Sequence, residues 1–392
     1  MDTTIFMSIQ KPLHKRRRTT AVRAGVGTDP AYRSVMPPLY LSSTFQIDGL
    51  DKRGDYEYSR TRNPTRDELA NALAALEGGI GCAVTASGMA ALTLLLHLLG
   101  PDDLVLAPYD MYGRSYWLLR ALAEKKHFRL KFIDCYDEGA LTQAFDKNPR
   151  MVILETPSNP VMRIADIADI SKRAKACGAL TVCDNTFLSP ILQNPLKLGA
   201  DIVFHSTTKF LNGHSDVVGG CVIVKDDEQF LADLHLWNNS LGTIGAPFDA
   251  YMTLRGMRTL EVRVHRGEEN AAAIAHYLQE HSKVSKVFYP GLPGHEGHEI
   301  AKRQQEGFGA MLSFTLEGDM DGFLSKLEMF SLAQSLGGTE SLINHPASMT
   351  HVSMGAEARA KAGVTDNLLR LSVGIEHIDD LLSDLEAALN VA

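Results

Sequence analysis

A chain of 392 residues, 45% apolar and 22% charged, is long enough for about two or three domains and for a core that needs no covalent staple. Its net charge of −8 argues against nucleic acid as a partner, because phosphates call for a basic face. Cys82, Cys135, Cys177, Cys183 and Cys221 show no CxxC spacing, so neither a disulfide framework nor a zinc site is expected. They read instead as small core residues of a reducing cytoplasm.

Residues 1–62 carry a basic run, Lys15-Arg16-Arg17-Arg18, then Pro37-Pro38 and polar turns. No hydrophobic signal core adjoins the run, which reads as a solvated arm. The proline and glycine punctuation predicts an irregular, extended segment lying on another surface, most simply a partner subunit. Helical spacing begins at Asn63-Pro64, a cap followed by a proline suited to the first turn, with Leu69, Leu73 and Leu76 on one face and Gly78 as the stop.

Short apolar or β-branched runs then alternate with helical segments. The runs are Cys82–Ala86, Leu104–Ala107, Leu130–Ile133, Met151–Glu155, Leu180–Cys183, Ile202–Phe204 and Cys221–Val224; the helical segments include Ala90–Leu99 and Ile167–Ala176. Buried strands alternating with helices predict an α/β fold around a mostly parallel sheet, which binds ligands at the carboxyl ends of its strands. The apolar stretch Ala90–Leu99 is too short for a bilayer, which needs ~20 residues. A long helical region from about Tyr251 to His281 leads into a smaller α+β part with strand-like runs at Met311–Leu316 and Leu368–Val373 and a final helix around Asp379–Leu389. The expected units are an arm (1–62), a large domain (63–255) and a small C-terminal domain (256–392).

Three pieces carry chemistry. The strand ending at Phe204 is followed by His205-Ser206-Thr207-Thr208-Lys209, hydroxyls that can bond phosphate oxygens and then a lysine placed to act as a desolvated amine. Alone, the lysine is equally the pattern of a surface residue after a strand. Asp184 ends another run, where a carboxylate calls for a cation; the ring nitrogen of pyridoxal phosphate (PLP) is one, and a helix cap is the plainer use. Ser87-Gly88-Met89 joins a strand to an apolar helix, a turn that lets backbone N–H groups meet an anion. No GxGxxG or GxxxxGK[ST] stretch is present, so dinucleotide and P-loop readings lack their fingerprints.

The order of turn, aspartate and lysine makes the chain recognisable. With Tyr58-Ser-Arg60, Asn63-Pro-Thr-Arg66, Ser87-Gly-Met89, Glu155-Thr-Pro-Ser-Asn159-Pro, Asp184-Asn-Thr-Phe, Ser206-Thr-Thr-Lys209 and Ser335-Leu-Gly-Gly, it resembles the Cys/Met-metabolism family of PLP enzymes from about Arg23 to the C-terminus. The resemblance implies the aspartate-aminotransferase type of fold (fold type I), with a seven-stranded large domain and a smaller α+β domain. It further implies that Lys209 holds PLP as a Schiff base and shuttles protons, Asp184 keeps the ring nitrogen protonated, Tyr112 stacks on the ring, and Asn159 bonds its phenolate oxygen. Ser87, Gly88, Met89, Thr186, Ser206 and Thr208 belong to the cofactor site, and Tyr58 and Arg60 reach the phosphate from the neighbouring subunit, in a dimer or the family's usual homotetramer. Arg370, in the apolar run Leu368–Val373, would bind the substrate α-carboxylate, alongside Ser335; an internal salt bridge is the other use of such an arginine.

The stretches from Gly297 to Phe314 and from Met349 to Gly363 resemble members that replace the acyl group of O-succinyl-L-homoserine by cysteine. γ-Elimination, sulfide as nucleophile, and a non-catalytic PLP-binding homologue are the alternatives. Two departures bear on the distal end of the substrate: Gln334 stands where many relatives carry glutamate, and Trp117 where they carry arginine. Arg62 and Arg114 are the nearby candidates to compensate.

Overall fold

The computed structural model describes residues 16–52 and 54–392; Lys15 and the residues before it lie outside. Seven strands, β1 (Gly81–Thr85), β2 (Leu104–Pro108), β3 (Arg129–Ile133), β4 (Met151–Glu155), β5 (Leu180–Asp184), β6 (Ile202–His205) and β7 (Gly220–Val224), form a sheet in the order β1-β7-β6-β5-β4-β2-β3. Only β7 is reversed, antiparallel to both β6 and β1. Every residue of β2, β4 and β7 is buried, as strands covered on both faces must be.

Alternation along the strands divides the core. Val105, Ile153 and Val182 pack with Leu92, Leu95 and Leu119 of helices Gly88–Leu96 and Gly113–Glu124. Leu106, Val152 and Cys183 pack with Leu141 and Ile170 from the opposite side. Each such buried aliphatic side chain stabilises the fold by ~1.5–3 kcal/mol. Helix Pro64–Glu77 starts and stops as its sequence predicts: Asn63 Oδ1 accepts the N–H groups of Thr65 (3.0 Å) and Arg66 (3.3 Å), and Gly78 adopts φ +84°.

A second sheet, in the order β10-β11-β12-β9-β8, comprises β8 (Val284–Phe288), β9 (Met311–Leu316), β10 (Ser331–Leu332), β11 (Leu342–Asn344) and β12 (Leu368–Ser372). The apolar pattern predicts only β9 and β12. β8 is partly exposed and bulged, and β10 is two exposed residues, so neither prints an apolar run. Two further expectations are corrected. The region from Tyr251 to His281 is two helices, Pro247–Met257 and Leu260–Glu280, separated at Arg258–Thr259. The arm contains a helix, Arg17–Val22, and two arginines of the basic run make ion pairs, Arg17 with Glu306 (3.0 Å) and Arg18 with Glu261 (3.2 Å), partners too distant in sequence to foresee. Among the described residues no helix is long and apolar enough to cross a membrane, and no His/Cys/Asp/Glu group could hold a metal ion.

Candidate active site

The carboxyl ends of the parallel strands converge on a cavity of about 370 Å³. It is lined by Ser87, Gly88, Met89, Tyr112, Asn159, Asp184, Thr186, Ser206, Thr208, Lys209, Gln334, Ser335 and Arg370, all singled out from sequence. Tyr58, Arg60, Arg62 and Arg114 are not among its lining. Arg60 donates to the Asn239 carbonyl at 3.3 Å, Tyr58 stands half-exposed, and Arg62 grips Asp67 through Nε (3.1 Å) and Nη2 (2.8 Å).

One end of the cavity is built for an anion. Ser87 caps helix Gly88–Leu96, its hydroxyl accepting the Ala90 N–H at 3.0 Å, and none of the described residues accepts from the N–H groups of Gly88 and Met89 at this positive helix end. Glycine is required here, since a Cβ on Gly88 would lie 2.7 Å from Ser206 Cβ. The Ser206 hydroxyl has no partner among the described residues, whereas Thr208 Oγ1 is engaged with Gly219, donating to its carbonyl (3.2 Å) and accepting its N–H (2.9 Å).

The other end is built for a cation. Asp184 closes β5 with both Thr186 donors, the N–H and the hydroxyl, on Oδ1; none of the described residues donates to Oδ2. Beside it in register on β4 stands Glu155, whose Oε2 accepts the Tyr112 N–H at 2.9 Å. Burial raises the Glu155 carboxyl well above the usual carboxylate range, the Asp184 charge adds to this, and the Tyr112 N–H and Arg370 oppose it. Burial also raises Asp184, against the Thr186 hydrogen bonds and the charge of His205. Asp184 accepts two hydrogen bonds and Glu155 one, so the charged form is better supported on Asp184, which lines the cavity with its Oδ2 unengaged by any described residue. Glu155 was quoted in a sequence motif but given no role; a glutamate closing a fully apolar strand was the available signal.

Between the two ends lies Lys209. Its Nζ donates to Ser335 Oγ at 2.5 Å, and burial, then the charge of Arg370, lowers its pKa to about 8. Ser335 adopts φ +85°, a left-handed conformation that is uncommon outside glycine and is held at functional turns. Arg370, on central strand β12, is fully buried and lowered by that burial to about 10. It donates to Asn159 Oδ1 (2.9 Å) and to the Ser335 carbonyl (2.9 Å), while its Nε is buried with no partner, so the fork is held but not filled. Among the described residues no carboxylate hydrogen-bonds to Arg370. Asn159 spends its oxygen on Arg370, which leaves its amide to donate into the cavity. Thr350 also lines the site, and a Cβ on Gly113 would meet its carbonyl at 2.5 Å, so the segment after β11 clamps the Tyr112 turn; sequence reasoning assigned it no role.

Anion cradle, open carboxylate and a desolvated amine between them fit a cofactor with a phosphate, a protonated ring nitrogen and an aldehyde. The class this defines is the PLP-dependent enzyme. The chain belongs to the family described as Cys/Met metabolism PLP-dependent enzyme, whose sequence profile matches residues 18–390, and PLP is its cofactor. It is 50% identical over 382 residues to cystathionine gamma-synthase of Escherichia coli K12, covering 96% of this chain and 99% of that one. It is 45% identical over 375 residues to cystathionine beta-lyase of Coxiella burnetii, covering 95% and 97%. Among solved structures it superposes on cystathionine gamma synthase from Xanthomonas oryzae pv. oryzae, in complex with aminoacrylate and cysteine, with a TM-score of 0.95 at 53% identity, covering 96% and 98%. Transferase and lyase chemistry of sulfur amino acids is thus common to the chain's relatives, and their names differ in the bond that is broken.

Proposed function

We propose that the protein catalyses γ-replacement: O-succinyl-L-homoserine and L-cysteine give L-cystathionine and succinate. The observation that carries the reading is the juxtaposition of Lys209 Nζ, poised near neutrality, with the unfilled Arg370 fork in one cavity.

The bound cofactor supplies an electron sink for negative charge developing at the substrate's Cα and Cβ. Lys209 would hold it covalently at rest, Asp184 Oδ2 would face its ring nitrogen, Asn159 its ring oxygen, and Gly88, Met89 and Ser206 its phosphate. Arg370 receives the substrate α-carboxylate, and its anchors on Asn159 and Ser335 fix the guanidinium plane before substrate arrives. Lys209 Nζ moves the proton at Cα and then one at Cβ, a task matched to an amine whose proton is held near working pH. Tyr112 lines the cavity from a turn whose backbone is held by the Glu155 bond to its N–H. The Cγ–O bond breaks and succinate leaves with its electron pair as a carboxylate, the cysteine sulfur forms the new Cγ–S bond, and the thiol proton is released, which balances the new carboxylate charge. Gln334 at the cavity wall presents a neutral amide to this distal end.

We assign Tyr58 and Arg60 to the phosphate of a neighbouring subunit's cofactor in a cytoplasmic homotetramer, because both stand on the arm outside their own chain's cavity lining. The 1–62, 63–255 and 256–392 units are retained on the same reading.

A second reading, cleavage of cystathionine, is favoured by the similarity to the Coxiella beta-lyase. Product analysis separates the two. The protein should form cystathionine and succinate in equal amounts when given O-succinyl-L-homoserine and cysteine. Failure to do so, together with rapid release of homocysteine or cysteine from supplied cystathionine, would overturn the γ-replacement reading.

A further inference from the structure

The stretch Met349-Thr350-His351 follows β11 of the second sheet, yet it meets loops that leave the first. His351 is fully buried, and its Nε2 lies 3.0 Å from the Asn159 carbonyl oxygen. A carbonyl only accepts, so Nε2 carries a proton and donates it. The other ring nitrogen, Nδ1, lies 2.9 Å from the Thr350 hydroxyl, which is itself 3.2 Å from Asn344 Oδ1. Asn344 stands opposite Arg370 in the register of β11 with β12. Burial, and then the charge of Arg370, lowers the imidazole pKa to about 4, which keeps the ring neutral; the donor at Nε2 is the same in either form.

Asn159, in the loop after β4, is held by this donor at its backbone and by Arg370 Nη1 at its side-chain oxygen, 2.9 Å away. The next carbonyl, that of Pro160, accepts from Ser313 Oγ of β9 at 2.7 Å. Residues of the second sheet and its loops therefore grip two consecutive carbonyls of the Asn159 loop. The same stretch abuts the Tyr112 turn. A Cβ on Gly113 would lie 2.5 Å from the Thr350 carbonyl oxygen and 3.0 Å from His351 Cα, and Ser353 Oγ donates to the Gly113 carbonyl at 3.1 Å. His351 is thus in contact with two loops whose residues Tyr112 and Asn159 line the cavity, while it is not itself part of the lining. An apolar side chain could fill the same space, but it would leave a buried carbonyl without its donor, which is costly.

We propose that His351 is a positioning residue of the active site: its Nε2–H, held on the Asn159 carbonyl, fixes the loop from which the Asn159 side chain meets both Arg370 and the cofactor's ring oxygen. The proposal rests on the assignment of Asn159 to that oxygen and of Arg370 to the α-carboxylate, and it does not depend on which substrate bond is broken. The Asn159 amide is only as well aimed as the peptide behind it, and so is the guanidinium that leans on its oxygen. A misplacement of about 1 Å at a reacting centre can cost about 100-fold in rate.

The test compares the PLP-loaded wild type with His351→Leu, His351→Gln and Asn159→Ala, all checked for PLP content and melting temperature. Glutamine keeps an N–H donor near the position of Nε2; leucine fills the space without one. The readouts are the pH titration of the cofactor's visible absorbance and the dissociation constant of glycine, which offers an α-carboxylate and no side chain, followed by the same absorbance. His351→Leu should move the titration to higher pH, in the direction of Asn159→Ala and by less, because a donor to the ring oxygen favours its anionic form. It should also weaken glycine binding about tenfold and lower kcat/KM by about 10–100-fold, the scale seen for outer partners of functional ligands. His351→Gln should restore most of each. If Asn159→Ala moves the titration and folded His351→Leu does not, His351 is merely structural and the proposal falls while the Asn159 assignment stands. If Asn159→Ala leaves the titration in place, both fall. Glutamine as damaging as leucine would show that the shape of the ring matters rather than its donor, and would overturn the proposal. Should His351→Leu fail to fold, nitrogen-15 histidine spectra of the wild-type holoenzyme decide: a proton on Nε2 is expected, and a ring protonated on Nδ1 alone would overturn the proposal.

Discussion

Lys209 sits with its amine stripped of water and the Arg370 guanidinium nearby, and both lower its affinity for a proton to a pKa of about 8. The unfolded chain keeps that proton up to about 10.4. Without cofactor, the folded protein must therefore carry a disfavoured ammonium or release its proton, and this costs up to ~3 kcal/mol at any pH below 8. The cost fades as pH rises from about 8 to about 10.4, where the unfolded state alone binds the proton. Lys209→Met should accordingly melt higher than the wild type when both are apoproteins at pH 7, and the gap should shrink steadily to pH 10. A gap independent of pH would show that the amine is solvated. At this scale the sequence was informative wherever a residue type announced its need. Asp184 and Arg370, charges in apolar runs, are legible because burial demands a partner. Glu155 and His351 were not assigned a role, because their partners lie 43 and 192 residues away in the chain and meet only in the fold.

The elements around the cavity were legible to the extent that burial writes a pattern. Helix Pro64–Glu77 could be placed from its caps, and the strands of the large sheet from their apolar runs, with ends shifted by a residue or so. Strands β8, β10 and β11 are held by pairing to β9, β11 and β12 respectively rather than by apolar alternation, so nothing local marks them. The N-terminus of helix Gly88–Leu96 shows what such placement means for function. The N–H groups of its first two residues, Gly88 and Met89, serve an anion only while the Ser206 backbone can approach Gly88. Gly88→Ala places a methyl group 2.7 Å from Ser206 Cβ and 2.9 Å from its Cα, so one wall must move. The expected outcome is at least a tenfold weaker PLP dissociation constant, about 1.4 kcal/mol, with the far-ultraviolet circular dichroism unchanged. Retention of wild-type affinity would remove the helix end from the phosphate site.

For the whole molecule, the arm is the decisive feature. Tyr32, Leu41 and Leu50 are 90%, 67% and 93% exposed, an apolar surface that suits contact with a second copy of the chain. If Arg60 completes the neighbour's site, Arg60→Ala and Lys209→Ala chains should each be nearly inactive alone. Mixed under conditions where subunit exchange is demonstrated, they should regain activity, because one site in each heterodimer then carries neither defect. No recovery after proven exchange would return Arg60 to its own chain.

The assignment of Lys209 as the residue that holds PLP supports every other role proposed for the cavity. Borohydride reduction of the PLP-loaded protein followed by peptide mapping tests it most directly. The reduced cofactor should be found on the peptide containing Lys209 and be missing from Lys209→Ala. Attachment to any other lysine, or unchanged labelling of the variant, would contradict the account.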